Sequence, residues 1–201
     1  MGIDVAIIDS GGANLASLVY ALKRLGAQAE VTTQADVIRA APRVLLPGVG
    51  SAGNAMARLR EARLHTLIPA LTQPVLGICL GMQLLFASSE EGESGDTPCL
   101  DILPGRVARM PASPARPVPH MGWNRLRALR EDPLLEGITA SDYFYFVHSF
   151  AAPVDPHSLA VTDYGAEFTA IAIRDNFRGA QFHPERSARP GARLLANFLK
   201  L

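Results

Sequence analysis

The sequence predicts an α/β fold, one domain built on a mixed, largely parallel twisted sheet flanked by helices. Short apolar runs alternate with helical patterns through the first half, as βαβ units require. The second half turns strand-rich and closes on an amphipathic helix. A length of 201 residues, 48% of them hydrophobic, is enough to bury one substantial core.

Residues 5–8 read as the first strand. A helix over 14–25 follows: Asn14 can cap its free amides, Leu15, Leu18, Val19 and Leu22 recur on one face, and Gly26 can stop it. Strands over 29–32 and 43–46, a helix over 52–63, a strand over 75–78 and a helix over 80–88 continue the alternation. Between residues 90 and 119 acidic and glycine-rich sequence gives way to a proline-rich stretch, which predicts a surface excursion around one possible strand and no domain boundary. Strands over 143–148, 159–162, 170–174 and 179–182 precede a closing helix that begins near Pro190 and buries Leu194, Leu195, Phe198 and Leu199.

Lysine plus arginine number 19 and aspartate plus glutamate 19, so no broad field is available to gather nucleic acid or an acidic membrane surface. A small neutral or zwitterionic substrate fits better. The N-terminus has no basic region before its apolar run, unlike a signal peptide, and no run approaches the roughly 18 apolar residues of a membrane span. Two cysteines, Cys79 and Cys99, are too few for a disulfide scaffold and lack zinc-site spacing. A cytoplasmic location is expected, with no metal and no cofactor.

Cys79 carries the strongest chemical signal. In Gly77-Ile78-Cys79-Leu80-Gly81-Met82-Gln83 an apolar strand meets a helical pattern at a cysteine flanked two residues away by glycines. With serine in place of cysteine this is a nucleophile elbow, whose strained turn raises the reactive atom above the sheet. A thiol at a helix N-terminus is biased toward thiolate, the nucleophilic form. Taken alone, a cysteine is more often a buried structural residue, and Cys99, without flanking glycines, keeps that reading. A proton donor for a leaving amine comes from Gln181-Phe182-His183-Pro184-Glu185. Pro184 holds the preceding backbone extended, so His183 and Glu185 can project together and the carboxylate can steady the imidazole, giving a Cys-His-Glu triad.

These two motifs together resemble the class I (triad) glutamine amidotransferases, with a likeness that spans the chain. The resemblance implies their flavodoxin-like fold and attack of Cys79 on the side-chain amide of L-glutamine. Pro47-Gly48-Val49-Gly50 looks like the family's oxyanion strand, and oxyanion donors are expected at Val49, Gly50 and Leu80. By the same resemblance Gly48, Gly50, Gln83, His148, Ser149 and Phe150 would contact the substrate. Segments 9–15, 120–124 and 145–150 are most similar to the glutaminase branch that serves imidazole glycerol phosphate synthase. Ser10 and Phe150 depart from that branch, where tyrosine is common at both places, which leaves fine loop geometry open.

That branch implies a heterodimer with a (βα)8-barrel cyclase subunit, low glutaminase activity until the cyclase binds its nucleotide, and a place in histidine biosynthesis. Asn14, Met121, Trp123, Asn124 and Arg186 are expected at the interface with the cyclase. Residue type alone would place Trp123 in a core and Arg186 in solvent. The Gly11-Gly12 loop lacks both P-loop and dinucleotide glycine spacing, so a turn near the partner is expected there in place of a phosphate cradle. A glutaminase with a different acceptor subunit, or a catalytically silent interaction subunit, are the alternative readings.

Overall fold

A computed structural model describes residues 2–11, 15–92 and 95–201. The first half runs β1 (Val5–Ile8), α1 (Leu15–Arg24), β2 (Ala29–Thr32), α2 (Ala35–Ala40), β3 (Val44–Gly48), α3 (Ala52–Glu61), α4 (Leu64–Leu67), β4 (Val75–Cys79) and α5 (Leu80–Gln83). It continues through β5 (Phe86–Ser89), β6 (Thr97–Pro98), β7 (Leu103–Arg109), β8 (His120–Arg125) and β9 (Arg127–Ala128). The last part is β10 (Tyr143–His148), β11 (Phe150–Ala151), β12 (Ser158–Asp163), β13 (Glu167–Arg174), β14 (Phe177–Ala180) and α6 (Ala188–Phe198).

The fold is mixed α/β. Eight strands form the main sheet in the order β2-β1-β3-β4-β14-β13-β12-β9. Its half from β2 to β14 is parallel and the rest antiparallel. Helices cover both faces of the parallel half, which is why β1, β3 and β4 are buried at every residue. Ala6, Ile8, Val44 and Leu46 pack with α2 and α3 on one face. Val5, Ile7, Leu45, Leu76 and Ile78 pack with α1 and α6 on the other.

Local chemistry sets the element ends. α1 buries Leu18, Ala21 and Leu22 and stops at Gly26, whose φ of +83 lies in the left-handed region. There Gly26 N–H donates to Lys23 O and Ala27 N–H to Leu22 O, closing the helix in a Schellman motif. Asn14, expected to cap this helix, lies outside the described residues. The helix expected over 52–63 ends at Glu61, because Arg63 turns left-handed with φ 57.

Two expectations are corrected. The helix over 80–88 is a single turn that gives way to β5, because the Leu84 and Leu85 carbonyls accept from Leu100, Ile102 and Leu103 N–H and cannot continue a helical ladder. The stretch 90–119 is not only a surface excursion. It contributes β6 and β7 to a second, four-stranded sheet, β11-β7-β5-β6, with Leu103 and Val107 fully buried. α2 and α4, of six and four residues, are too short to show a helical period in the sequence, and β8 shows there only as a motif.

At the centre of the main sheet three backbones meet with no room for side chains. A Cβ on Gly81 would lie 1.7 Å from Leu46 O, and one on Gly77 would lie 2.7 Å from Gly81 O. Gly81→Ala is therefore expected to lower stability by at least about 1–3 kcal/mol, the usual cost of overpacking. Gly53→Ala, inside α3 with only Thr97 Oγ1 within reach at 3.7 Å, is expected to be neutral or stabilising. Thermal unfolding of the two variants checks this; a Gly81→Ala midpoint equal to wild type would refute the contact.

Candidate active site

Cys79 ends β4 and stands at the N-terminus of α5 with φ 55 and ψ −114, a strained conformation for a residue with a side chain. The glycine contacts force it: β4 can pass so close to α5 only if the chain turns sharply between them. The thiol is buried, with Val147 O and Gln181 Nε2 each 3.9 Å from Sγ. Gly48, in register with Cys79 on the neighbouring strand, presses on the same turn; a Cβ there would meet Gly81 N at 3.0 Å and Leu80 Cβ at 3.1 Å. Val49 is half-buried and Gly50 exposed with φ +91, so the chain loosens immediately past that contact.

His183 reaches the same place from the far end of the sequence. β14 lies beside β4 in parallel, with Ala180 opposite Ile78, so the chain leaving β14 passes the elbow. Nδ1 of His183 donates to Glu185 Oε1 at 2.8 Å, which leaves Nε2 as the free ring nitrogen. Nε2 and Glu185 Oε2 are both buried without a hydrogen-bond partner. Burial disfavours a charged imidazole here, but the Cys79 sulfur and the Glu185 carboxylate outweigh it and raise the His183 pKa to about 10. The ring is thus a proton donor at neutral pH.

The backbone of His183 is held by a closed ring of hydrogen bonds that the sequence did not reveal. Its N–H donates to Tyr145 O (2.9 Å), Tyr145 N–H donates to Ser187 Oγ (2.9 Å), and Ser187 Oγ donates to His183 O (2.6 Å). Ser187 is fully buried and serves both strand and turn. Gln83 is buried as well, and both hydrogens of its Nε2 are spent, on Phe150 O and Gln181 Oε1, each at 2.9 Å. Any contact from Gln83 to a ligand must therefore come from its other atoms.

Behind the elbow lies a pair of buried histidines. A carbonyl can only accept, so His148 Nδ1 donates to Phe150 O (2.8 Å), its Nε2 accepts, and His120 Nδ1 donates to it (3.1 Å). Burial lowers the pKa of His120 to about 4. Burial does the same for His148, also to about 4, against the favourable Phe150 carbonyl and with the His120 and His183 charges adding to the fall. Both rings are neutral at pH 7. They fix segment 148–150, where Ser149 and Phe150 are half-buried and Ser149 O accepts Met110 N–H.

Two cavities adjoin these groups. A narrow one of about 110 Å³ is lined by Pro47, Gly48, Val49, Val147, His183 and Glu185. A wide cleft of about 790 Å³ is lined by Ser51, Glu90, Glu91, Arg109 and Phe150, among others. Carrying both charge signs, the cleft is suited to a zwitterion, and its volume accommodates an amino acid. Glu91, in a stretch expected to be surface loop, accepts Ala52 N–H at 3.0 Å, and burial raises its pKa. Its only sequence signal is an acidic pair two serines past an apolar run.

The residues expected at a partner surface divide. Met121 and Trp123 are 63% and 53% exposed on β8, Trp123 packs edge-on against Tyr145, and Arg186 lies over the Tyr145 ring at 5.1 Å. Asn124 departs from them. Strand alternation turns it to the face that bears buried Phe144, its cross-strand partner, and its Nδ2 donates to Asp163 O. Among the described residues no group of three or more His, Cys, Asp or Glu is gathered for a metal ion, and no helix is long and apolar enough to cross a membrane.

Comparison with known proteins bears on the same residues. Residues 6–201 match the family model described as glutamine amidotransferase class-I. The chain is 53% identical over 198 residues to the imidazole glycerol phosphate synthase subunit HisH of Xylella fastidiosa, covering 98% of both chains. It is 52% identical over 198 residues to the subunit of the same name from Xanthomonas euvesicatoria, again covering 98% of both. A crystal structure described as glutamine amidotransferase superposes with a TM-score of 0.75 at 19% identity, covering 98% of this chain and 97% of that one.

The buried histidines give a pH dependence. Unfolded, their imidazoles return toward 6.5 and take up protons that the fold refuses until about 4. Their contribution is therefore complete above pH 6.5 and falls as the pH drops from 6.5 toward 4. The thermal midpoint should decline through that window, and His120→Phe should flatten part of the decline; equal slopes for wild type and variant would contradict the assignment.

Proposed function

The chain belongs to the glutamine amidotransferase class-I family, and from that membership we propose that it is the glutaminase subunit of an imidazole glycerol phosphate synthase. The observation that carries the reading is the free, buried Nε2 of a carboxylate-held imidazole beside a thiol on a strained elbow. Cys79, His183 and Glu185 form the catalytic set. The Cys79 thiolate attacks the side-chain carbonyl carbon of L-glutamine, forming a C–S bond and an oxyanion. Amides of the 48–50 segment, with Leu80 N–H, stabilise that oxyanion. As the C–N bond breaks, His183 gives its proton to the departing nitrogen, releasing ammonia and leaving a γ-glutamyl thioester. Water then attacks with His183 as base, the C–S bond breaks, and glutamate leaves.

The amino-acid end of glutamine lies toward the wide cleft, with Glu91 opposite its ammonium group and segment 148–150 beside it. Ammonia released into water would be protonated and lost as a nucleophile. The face formed by exposed Met121, Trp123 and Arg186 with half-buried Tyr145 borders the narrow cavity through Arg186, and it is there that we seat the (βα)8-barrel cyclase that consumes the ammonia. A reducing cytoplasm suits a chain whose described cysteines are both free.

Glutamate release from L-glutamine, measured for the chain alone and with the cyclase and its nucleotide substrate, tests the reading. Release should rise on adding the cyclase and fall by about 10³-fold or more in Cys79→Ala. A wild-type chain that stays inactive throughout would instead be a silent interaction subunit.

A further inference from the structure

Ser10 is buried at 1% exposure, and its Oγ donates to Pro47 O at 2.7 Å. The bond falls at a definite point in the sheet. Ala6 N–H donates to Arg43 O, and two-residue steps along β1 and β3 from that bond would bring the Ser10 amide to Pro47 O. The backbone does not complete the ladder there, because Ser10 N–H turns back to Ile8 O at 3.1 Å. The hydroxyl takes the place of the missing amide, and so holds the Pro47 carbonyl on the side of β3 where pairing with β1 has ended, while β4 still pairs with Pro47 and Gly48 on the other.

The next peptides are held differently. Gly48 is wedged against Gly81 N and the Leu80 side chain, whereas around a Cβ placed on Gly50 there would be no atom within 4 Å. The segment is thus held at Pro47 and Gly48 and opens to solvent at Gly50, with the Gly48–Val49 peptide between the two. Ser10 also begins the turn out of β1, where Gly11 N–H donates to Asp9 Oδ1 and the loop leads toward α1.

We propose that Ser10 is a positioning residue whose hydroxyl anchors the Pro47–Gly48 peptide and thereby sets the direction of the oxyanion donor at Val49. The inference rests on the glutaminase reading above. It involves no contact between Ser10 and substrate, so losing the hydroxyl acts on turnover and leaves binding of glutamine largely intact.

The test is steady-state glutamate release by the full chain with the cyclase and its nucleotide, for wild type, Ser10→Ala, Ser10→Cys and Ser10→Thr. Cysteine keeps the volume and lacks a strong donor; threonine keeps the hydroxyl. Alanine and cysteine should each lower kcat by about tenfold, less than the loss of an oxyanion donor itself. KM for L-glutamine should stay within about twofold, and threonine should restore kcat to within about twofold of wild type. If alanine fails to fold, the cysteine and threonine pair still decides the question. An active wild type whose cysteine variant keeps its kcat, or loses affinity in place of turnover, overturns the proposal alone. A wild type inactive with the cyclase overturns the glutaminase reading and this proposal with it.

Discussion

The site depends on a backbone crossing. β3, β4 and α5 approach so closely that Gly48, Gly77 and Gly81 leave no space for a Cβ without displacement. A chain that must turn within such a gap cannot relax, and the turn's central residue, Cys79, absorbs the strain at φ 55. That one constraint lifts the sulfur off the end of the sheet and sets Gly48 directly across from it. The strain is held in place by helices packed on both faces of the surrounding strands.

The imidazole arrives by sheet register. Because β14 runs parallel to β4, residues distant in sequence leave the sheet at the same edge, and His183 passes the elbow within a few residues of doing so. Its orientation is set twice, at the ring by Glu185 and at the backbone by the ring of bonds through Tyr145 and Ser187. Gln181 links the two halves more directly, with Nε2 toward the Cys79 sulfur and Oε1 accepting from Gln83. The buried, neutral His120–His148 pair then fixes the adjacent 148–150 segment without adding charge beside the thiol.

How much of this was legible in the sequence follows from how local each signal is. The parallel strands and α1 were readable because apolar runs and a glycine stop act over a few residues. The glycines around Cys79 and the spacing from His183 to Glu185 were readable for the same reason. The end of α5 was not, since it is decided by Leu84 and Leu85 carbonyls that accept from residues 100–103. Nor was the role of Ser187 or Ser10, each an ordinary polar residue until the fold brings a distant carbonyl to its hydroxyl. Asn124 turns away from Trp123 although the two are adjacent in sequence, because neighbours on a strand face apart.

On the proposed mechanism, the strained elbow makes Cys79 the atom that bonds to substrate. Rapid acid quenching of the chain turning over L-glutamine with the cyclase, followed by mass spectrometry of its peptides, reads that bond directly. A glutamyl group should be found on the peptide bearing Cys79 and none on the peptide bearing Cys99. An acyl group on Cys99, or turnover with no modified peptide at Cys79, would contradict it.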